Sequence, residues 1–270
     1  MNTQLAGKWV IITGASSGFG AAAAIAFGAQ GAKLLLGARR MGRLKTAASA
    51  ALAAGAAEAH FHALDVTQTP SVEKFVQWSK RKISPNTQHA TRNPPLIDVL
   101  INNAGGALGL DHVAEGKDTD WETMFQTNVL GLLRMTRAVL PLMLNNPGSS
   151  ILNIGSFASR VAYEGGAAYC AAKAGELQIS HALRLELSGT GVRVCSIDPG
   201  LAQTEFSLVR FKGDAERAAR PYEGTHPLVA EDIAEILVWV ASRPPHVNID
   251  EMLVKPTDQA GMHKVFRRRT

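Results

Sequence analysis

The chain has 270 residues, 46% of them hydrophobic and 6% aromatic, and a formal net charge of +5. That is enough apolar material for one large α/β domain, while no apolar run approaches the ~20 residues of a membrane span and no arginine stripe with interleaved aromatics marks a nucleic-acid face. Cys170 and Cys195 cannot build a disulfide framework or a metal site, and Met1–Gln4 lacks a secretory pattern, so a cytoplasmic, metal-free protein is expected.

Trp9–Thr13 opens the chain as an apolar run of the kind that forms buried parallel strands. It enters the turn Gly14-Ala15-Ser16-Ser17-Gly18-Phe19-Gly20, and an alanine-rich helix near 18–30 follows. Further strands are predicted at Lys33–Gly37, Ala59–Leu64, Val99–Ile101, Ser150–Ile154 and Val192–Ile197, with Asp250–Val254 as an edge strand. Helices are predicted near 41–54, 70–83, 118–145, 166–188 and 229–242, and the polar stretch Ser84–Pro95 reads as a loop. This βαβα order predicts a single α/β domain over 1–270, a doubly wound parallel β-sheet with helices on both faces.

The glycine turn carries the first functional signal. Main-chain N–H groups at a helix start, a favourable dipole and missing side chains let a pyrophosphate approach closely. The spacing is G-x-x-x-G-x-G, and the competing reading is a plain tight turn whose glycines supply positive φ. A second signal is Tyr169-Cys170-Ala171-Ala172-Lys173, with Ser156 upstream. Tyrosine and lysine at i and i+4 share a helix face, where an ammonium stabilises phenolate and fits the phenol for proton transfer at a carbonyl or alcohol. The serine hydroxyl can steady the same oxygen.

These motifs, together with Asp65-Val66, Asn102-Asn103-Ala104-Gly105, Asn128 and Pro199-Gly200-x-x-x-Thr204, resemble the short-chain dehydrogenase/reductase family from about Gly7 to Asp258. Several stretches, among them Asp120–Met124, Thr136–Pro141 and Pro256–Gln259, resemble the NADP-dependent 3-hydroxy acid (serine) dehydrogenases. The resemblance implies a Rossmann-type fold and a hydride transfer in which Tyr169 moves the proton. Lys173 would tune the phenol and hold ribose hydroxyls, Ser156 would bind the reacting oxygen, and Asn128 would position a water behind Lys173. It places Gly14, Ser16, Ser17, Gly18, Phe19, Gly20, Asp65, Val66, Asn103, Ala104, Gly105, Pro199, Gly200 and Thr204 on the cofactor. Asp65 would accept from the adenine amino group, or else merely start a turn before Thr67; Asn103 can instead brace its turn, and Thr204 can instead cap a helix.

Cofactor choice turns on Gly37-Ala38-Arg39-Arg40. NAD-selective relatives usually carry an acid where Ala38 stands, and the forked guanidinium of Arg39 suits a 2′-phosphate, so NADP is expected. Arg40 would share that phosphate or stack on the adenine. A lid over about 204–225 would cover the substrate, with Arg210 or Lys212 as candidates to meet a carboxylate. Leu108, Phe157 and Leu201 are wall candidates, while His112, His181 and His226 read as structural or surface residues. By resemblance the partners are a small carbonyl or hydroxy acid substrate and, in a homotetramer, further copies of the chain, towards which the tail over 256–270 would reach. The expected activity is oxidation of small 3-hydroxy acids or reduction of their semialdehydes. A broader ketone, aldehyde or 3-oxoacyl reductase is the alternative, and a non-catalytic NADP sensor the remote one.

Overall fold

The computed structural model describes residues 3–84 and 96–268; the loop expected over Ser84–Pro95 lies, Ser84 apart, outside the described residues. Seven parallel strands form one sheet in the order β3-β2-β1-β4-β5-β6-β7. They are β1 (Trp9–Thr13), β2 (Lys33–Ala38), β3 (Glu58–Ala63), β4 (Val99–Asn102), β5 (Ser150–Ile154), β6 (Arg193–Pro199) and β7 (Glu251–Val254). The inner strands are largely apolar because both faces are covered, with a few buried polar residues such as Asn102, Asn153 and Asp198. Alternation divides them: Val10, Ile12, Leu34, Leu36, Val99 and Ile101 enter one core, while Ile11, Leu35, Leu100, Ile151 and Val194 enter the other.

Helices α1 (Gly18–Ala29), α2 (Met41–Ala54) and α9 (Ala230–Ala241) cover the first face. The second is covered by α3 (Thr69–Ile83), α5 (Gly131–Val139) and α6 (Ala167–Glu186). Chain direction across the sheet reverses between β1 and β4, so their carboxyl ends frame the crevice where ligands of such folds bind. No helix among the described residues is long and apolar enough to cross a membrane.

One expectation needs correction. The region 118–145 is not one helix: α4 (Asp118–Phe125) passes into a π-helical turn, Gln126–Leu130, before α5, and Leu140–Leu142 is 3₁₀. Asn128 Nδ2 donates to the Met124 carbonyl four residues back at 2.7 Å, and this side-chain bond competes with the regular main-chain one. Apolar periodicity cannot register that substitution of one donor for another.

Up to Arg268 the tail also makes contacts within its own chain. Asp258, 7% exposed, accepts from Arg268 and from the His226 main chain at 2.6 and 2.7 Å, and Arg268 N donates to the Gly224 carbonyl at 2.7 Å. The Arg268 guanidinium, then the His226 amide, hold the Asp258 carboxyl down to about 2. The clasp therefore contributes stability above the ordinary aspartate range near ~4 and loses it as pH falls towards 2. Pepsin should cut the tail faster as pH drops through that window, and Arg268→Ala should show the same sensitivity at pH 4; indifference of the cleavage rate to both would discount the clasp.

Candidate active site

A cavity of about 480 Å³ opens at the carboxyl ends of β1 and β4. The turn Gly14–Phe19 forms one wall. Gly14 has φ +65°, and a Cβ there would lie 2.9 Å from Ala104 Cα, so only glycine lets the two loops approach. Ser17 precedes α1 without a side-chain cap, which leaves the first-turn N–H groups available to an anion. Asn103 braces the turn as the alternative reading had it, its Nδ2 donating to the carbonyls of Thr13 and Gly14 at 2.9 and 3.2 Å.

Thr13, 1% exposed, ties the two loops together. Its Oγ1 accepts from the main-chain nitrogens of Asn103 and Ala104, both at 2.9 Å, and is itself 3.2 Å from the Ile101 carbonyl. Thr13→Val keeps the shape but leaves two part-buried N–H groups without their acceptor, at a cost of about 2–4 kcal/mol. Thermal unfolding should move down by roughly 5–12 °C. An unmoved midpoint would show that the loop is held by something else.

The predicted residues Ser16, Ser17, Gly18, Phe19, Arg39, Arg40, Asp65, Val66, Asn103, Ala104, Gly105, Pro199, Gly200 and Thr204 all line this cavity. Ser156, Phe157, Tyr169, Lys173, Leu201 and Arg210 line it too. Two of the residues predicted for cofactor binding or catalysis do not. Gly20 sits behind the turn, where a Cβ would come within 2.5 Å of the Gly14 carbonyl and of Asn103, so its part is close packing. Asn128 is 2% exposed behind the 105–106 loop. Its Nδ2 also donates to the Gly106 carbonyl at 2.9 Å, its Oδ1 accepts from Gly106 N at 3.1 Å, and a Cβ on Gly105 would strike that oxygen at 2.6 Å.

At the far end of the cavity, Asp65 Oδ1 accepts from both N and Oγ1 of Thr67, at 3.0 and 2.7 Å, so this carboxylate braces its turn while lining the cavity. Arg39 is exposed on the cavity rim. Arg40 is already engaged: it donates to Ser16 and Ser17 and pairs with Glu205 Oε2 at 3.0 Å, while Arg43 also bonds Glu205. Glu205 thus joins the segment after β6 to the mouth of the crevice, a contact no local pattern announces.

Tyr169 lies in the first turn of α6 and Lys173 in the second. The Tyr169 ring, 8% exposed, packs on Phe206 with centroids 5.5 Å apart, and the Arg210 guanidinium carbon lies 5.6 Å from its centroid. Ser156 Oγ accepts from Ala158 N at 3.1 Å, which orients its hydroxyl at the end of β5. Thr204 faces Gly18, and its Oγ1 accepts from Phe206 N at 3.2 Å just before the short α7 (Phe206–Arg210). Lys212, by contrast, pairs with Asp120 at 2.9 Å on the outside and does not line the cavity, so it cannot meet a substrate there. Leu108 lines only a small neighbouring recess. The histidines behave as expected: His112 lies 3.5 Å from Glu164 at the surface and His181 2.6 Å from Glu251. Among the described residues no cluster of histidine, cysteine or carboxylate could hold a metal ion.

This arrangement has counterparts. Residues 8–214 match the short chain dehydrogenase family. The chain belongs to that family. It is 39% identical over 267 residues to an NADP-dependent 3-hydroxy acid dehydrogenase of Schizosaccharomyces pombe, covering 98% of this chain and 99% of that one. It is 42% identical over 252 residues to a sulfoacetaldehyde reductase of Chromohalobacter salexigens, covering 93% and 94%. The structure of a closed serine dehydrogenase complexed with NADP+ superposes with a TM-score of 0.83 at 38% identity, over 97% of this chain and all of that one.

Two residues escaped the motifs, and a third, Gln259, lay in a resembling stretch without being given a part in the site. Tyr163 lines the cavity with a buried hydroxyl that has no hydrogen-bond partner, and burial, opposed by Arg210, pushes its phenol up to about 12. Gln259 also lines it, its Oε1 accepting from Leu201 N at 2.7 Å. Glu176, 1% exposed on α6, bonds Lys173. No local pattern assigns these residues to the site; the fold brings Tyr163 and Gln259 to the crevice and Glu176 behind Lys173.

Proposed function

We propose that this dehydrogenase uses NADP(H) to interconvert small 3-hydroxy acids, of the serine or 3-hydroxypropionate kind, and their semialdehydes. The observation that carries the substrate class is Arg210. Its guanidinium lines the cavity beside Tyr169 and packs over Tyr163 at 5.4 Å. Nε donates to the Gly109 carbonyl at 2.9 Å, and the remaining nitrogens make no further hydrogen bond among the described residues. A charged fork next to the orphaned Tyr163 hydroxyl is suited to a carboxylate held one short chain away from the reacting carbon. The relatives named above act, by their names, on molecules that pair a small hydroxyl or carbonyl with an acid group.

The residues fit an NADP dinucleotide. The open N-terminus of α1 suits the pyrophosphate, and Arg39, with no acid at Ala38, suits a 2′-phosphate; Arg40 backs it while clamped to the serines. When bound, the nicotinamide supplies the site of hydride exchange. Tyr169 gives its hydroxyl proton to the substrate oxygen in reduction and removes it in oxidation, with Ser156 Oγ bonding that oxygen. Lys173 supports the ionised phenol and reaches towards the ribose. Since the Asn128 side chain is spent on Gly106 and Met124, its part in relaying protons behind Lys173 falls to its main chain. The segment 204–225 acts as the lid: Gly109 N and O both bond Arg210, and Tyr222 Oη is 2.7 Å from Ser207 and 3.0 Å from the Ala202 carbonyl.

Exposed Phe125, Leu130 and Leu185 support a homotetramer built through the faces of α4, the π turn and α6, with the enzyme working in the cytoplasm. Light scattering should return about four chain masses, and Leu185→Glu should lower that number. A monomer at micromolar concentration would dismiss the assembly.

A further inference from the structure

The buried carboxylate behind the lysine has no place in the scheme above. Lys173 Nζ donates to Glu176 Oε2 at 2.7 Å and to the Ile154 carbonyl at 2.7 Å, which leaves one N–H for the cavity. The two side chains are 7% and 2% exposed. Glu176 Oε1 has no partner, and a Cβ on Gly105 would lie 3.6 Å from Nζ, so the ammonium sits between the cofactor loop and this carboxylate. Positions i and i+3 of α6 share a face, and here that face is turned into the protein.

We propose that Glu176 is a positioning residue of the redox reaction: ionised, it draws the Lys173 ammonium to the floor of the site and offsets its charge; protonated, it leaves that charge whole for Tyr169 and the ribose. The inference rests on the assignment of proton transfer to Tyr169. A carboxylate in direct contact turns a buried cation into a nearly neutral pair, and a cation beside a phenol is effective only to the extent that its charge is not offset. Tyr169 and Lys173 face Glu176 from its own helix. From β6 comes Asp198, fully buried, which is bonded to Ser196 at 2.7 Å and to Arg160 at 2.5 Å. Arg160 also bonds Glu251 of β7, which pairs with His181. Asn102, Asn153 and Ser180 continue the buried polar chain beneath, neutral throughout.

The charges give this geometry a pH at which to act. Burial pushes the Glu176 carboxyl up, to about 7, with Lys173 pulling the other way and Asp198 adding to the push. Burial opposes the charge on Lys173, but Glu176, then Tyr169, hold it above its ordinary range. The pair therefore carries one positive charge below neutrality and approaches zero above it.

The test compares kcat/KM for hydroxy acid oxidation against pH in the holoenzyme with wild type, Glu176→Gln and Glu176→Asp. In the cofactor-free protein, ¹³C NMR of labelled carboxyls follows the titration directly. The expected results are a carboxyl resonance titrating near 7 that vanishes in Glu176→Gln, and an acid-side limb, the rise of the rate with pH, displaced to lower pH by about one unit in that variant. Glu176→Asp, which keeps the charge, should return the midpoint towards wild type. Superimposable profiles for wild type and Glu176→Gln would overturn the proposal, as would wild-type carboxyls that all titrate in the ordinary range, a result that needs no variant to fold. Retained turnover in Tyr169→Phe would instead overturn the functional assignment beneath it.

Discussion

Tyr169→Phe should bind NADPH as wild type does and turn over about 10³-fold more slowly, because a positioned proton donor contributes about 10²–10⁴-fold. The ring keeps its packing on Phe206 and beside Arg210, since only the hydroxyl is removed and the ring, 8% exposed, fills the same space. Cofactor affinity rests on other groups: the Gly14–Phe19 turn, the open start of α1 and the arginines after β2. Fluorescence titration of NADPH separates the two quantities. Comparable loss of binding and turnover would mean that the phenol supports the site rather than the chemistry, and undiminished turnover would remove Tyr169 from the reaction.

Arg210→Gln should act on specificity. A hydrogen bond to a charged group is worth about 1.5–3 kcal/mol, so kcat/KM for an anionic semialdehyde should fall by about 10²-fold. The same substitution weakens the clasp between Arg210 and Gly109, which holds the lid to the loop after β4. That loss touches every substrate alike. The ratio of kcat/KM for the semialdehyde to that for a neutral aldehyde of equal length is therefore the quantity to measure, and it should collapse towards one. A fall of equal size for both substrates would reduce Arg210 to a lid fastener. Lys212→Gln serves as the comparison, since that ammonium is held by Asp120 outside the cavity and its loss should leave the ratio unchanged.

The parts of the molecule legible in the sequence are those where one physical requirement governs a short stretch. Strands buried on both faces must be mostly apolar, and Trp9–Thr13 and Ser150–Ile154 stand where the pattern put them, while the other boundaries move by a residue or two. The turn from Gly14 to Phe19 and the Tyr169–Lys173 pair were readable because close approach and a shared helix face each demand particular residues at particular spacings. What stayed hidden depends on distant partners. Nothing local shows that Glu205 spans to Arg40 and Arg43, or that Asp258 is claimed by Arg268. Glu176, three residues after a lysine, has the spacing of an ordinary surface ion pair, and its face is buried only because α6 lies against the sheet. Gly20 shares the motif's glycine without sharing its contact with the cavity, and Asn128 breaks its helix through a side-chain bond that hydrophobic periodicity does not record.

The most direct test is a substrate panel with the wild-type enzyme, following NADPH absorbance against semialdehydes that carry a carboxylate or sulfonate and neutral aldehydes and ketones of matched size. Selectivity of at least about tenfold for the anionic compounds, a difference of 1.4 kcal/mol or more, is the expected result, with NADPH used in preference to NADH. Equal or faster turnover of neutral ketones, or a preference for NADH, would contradict the account.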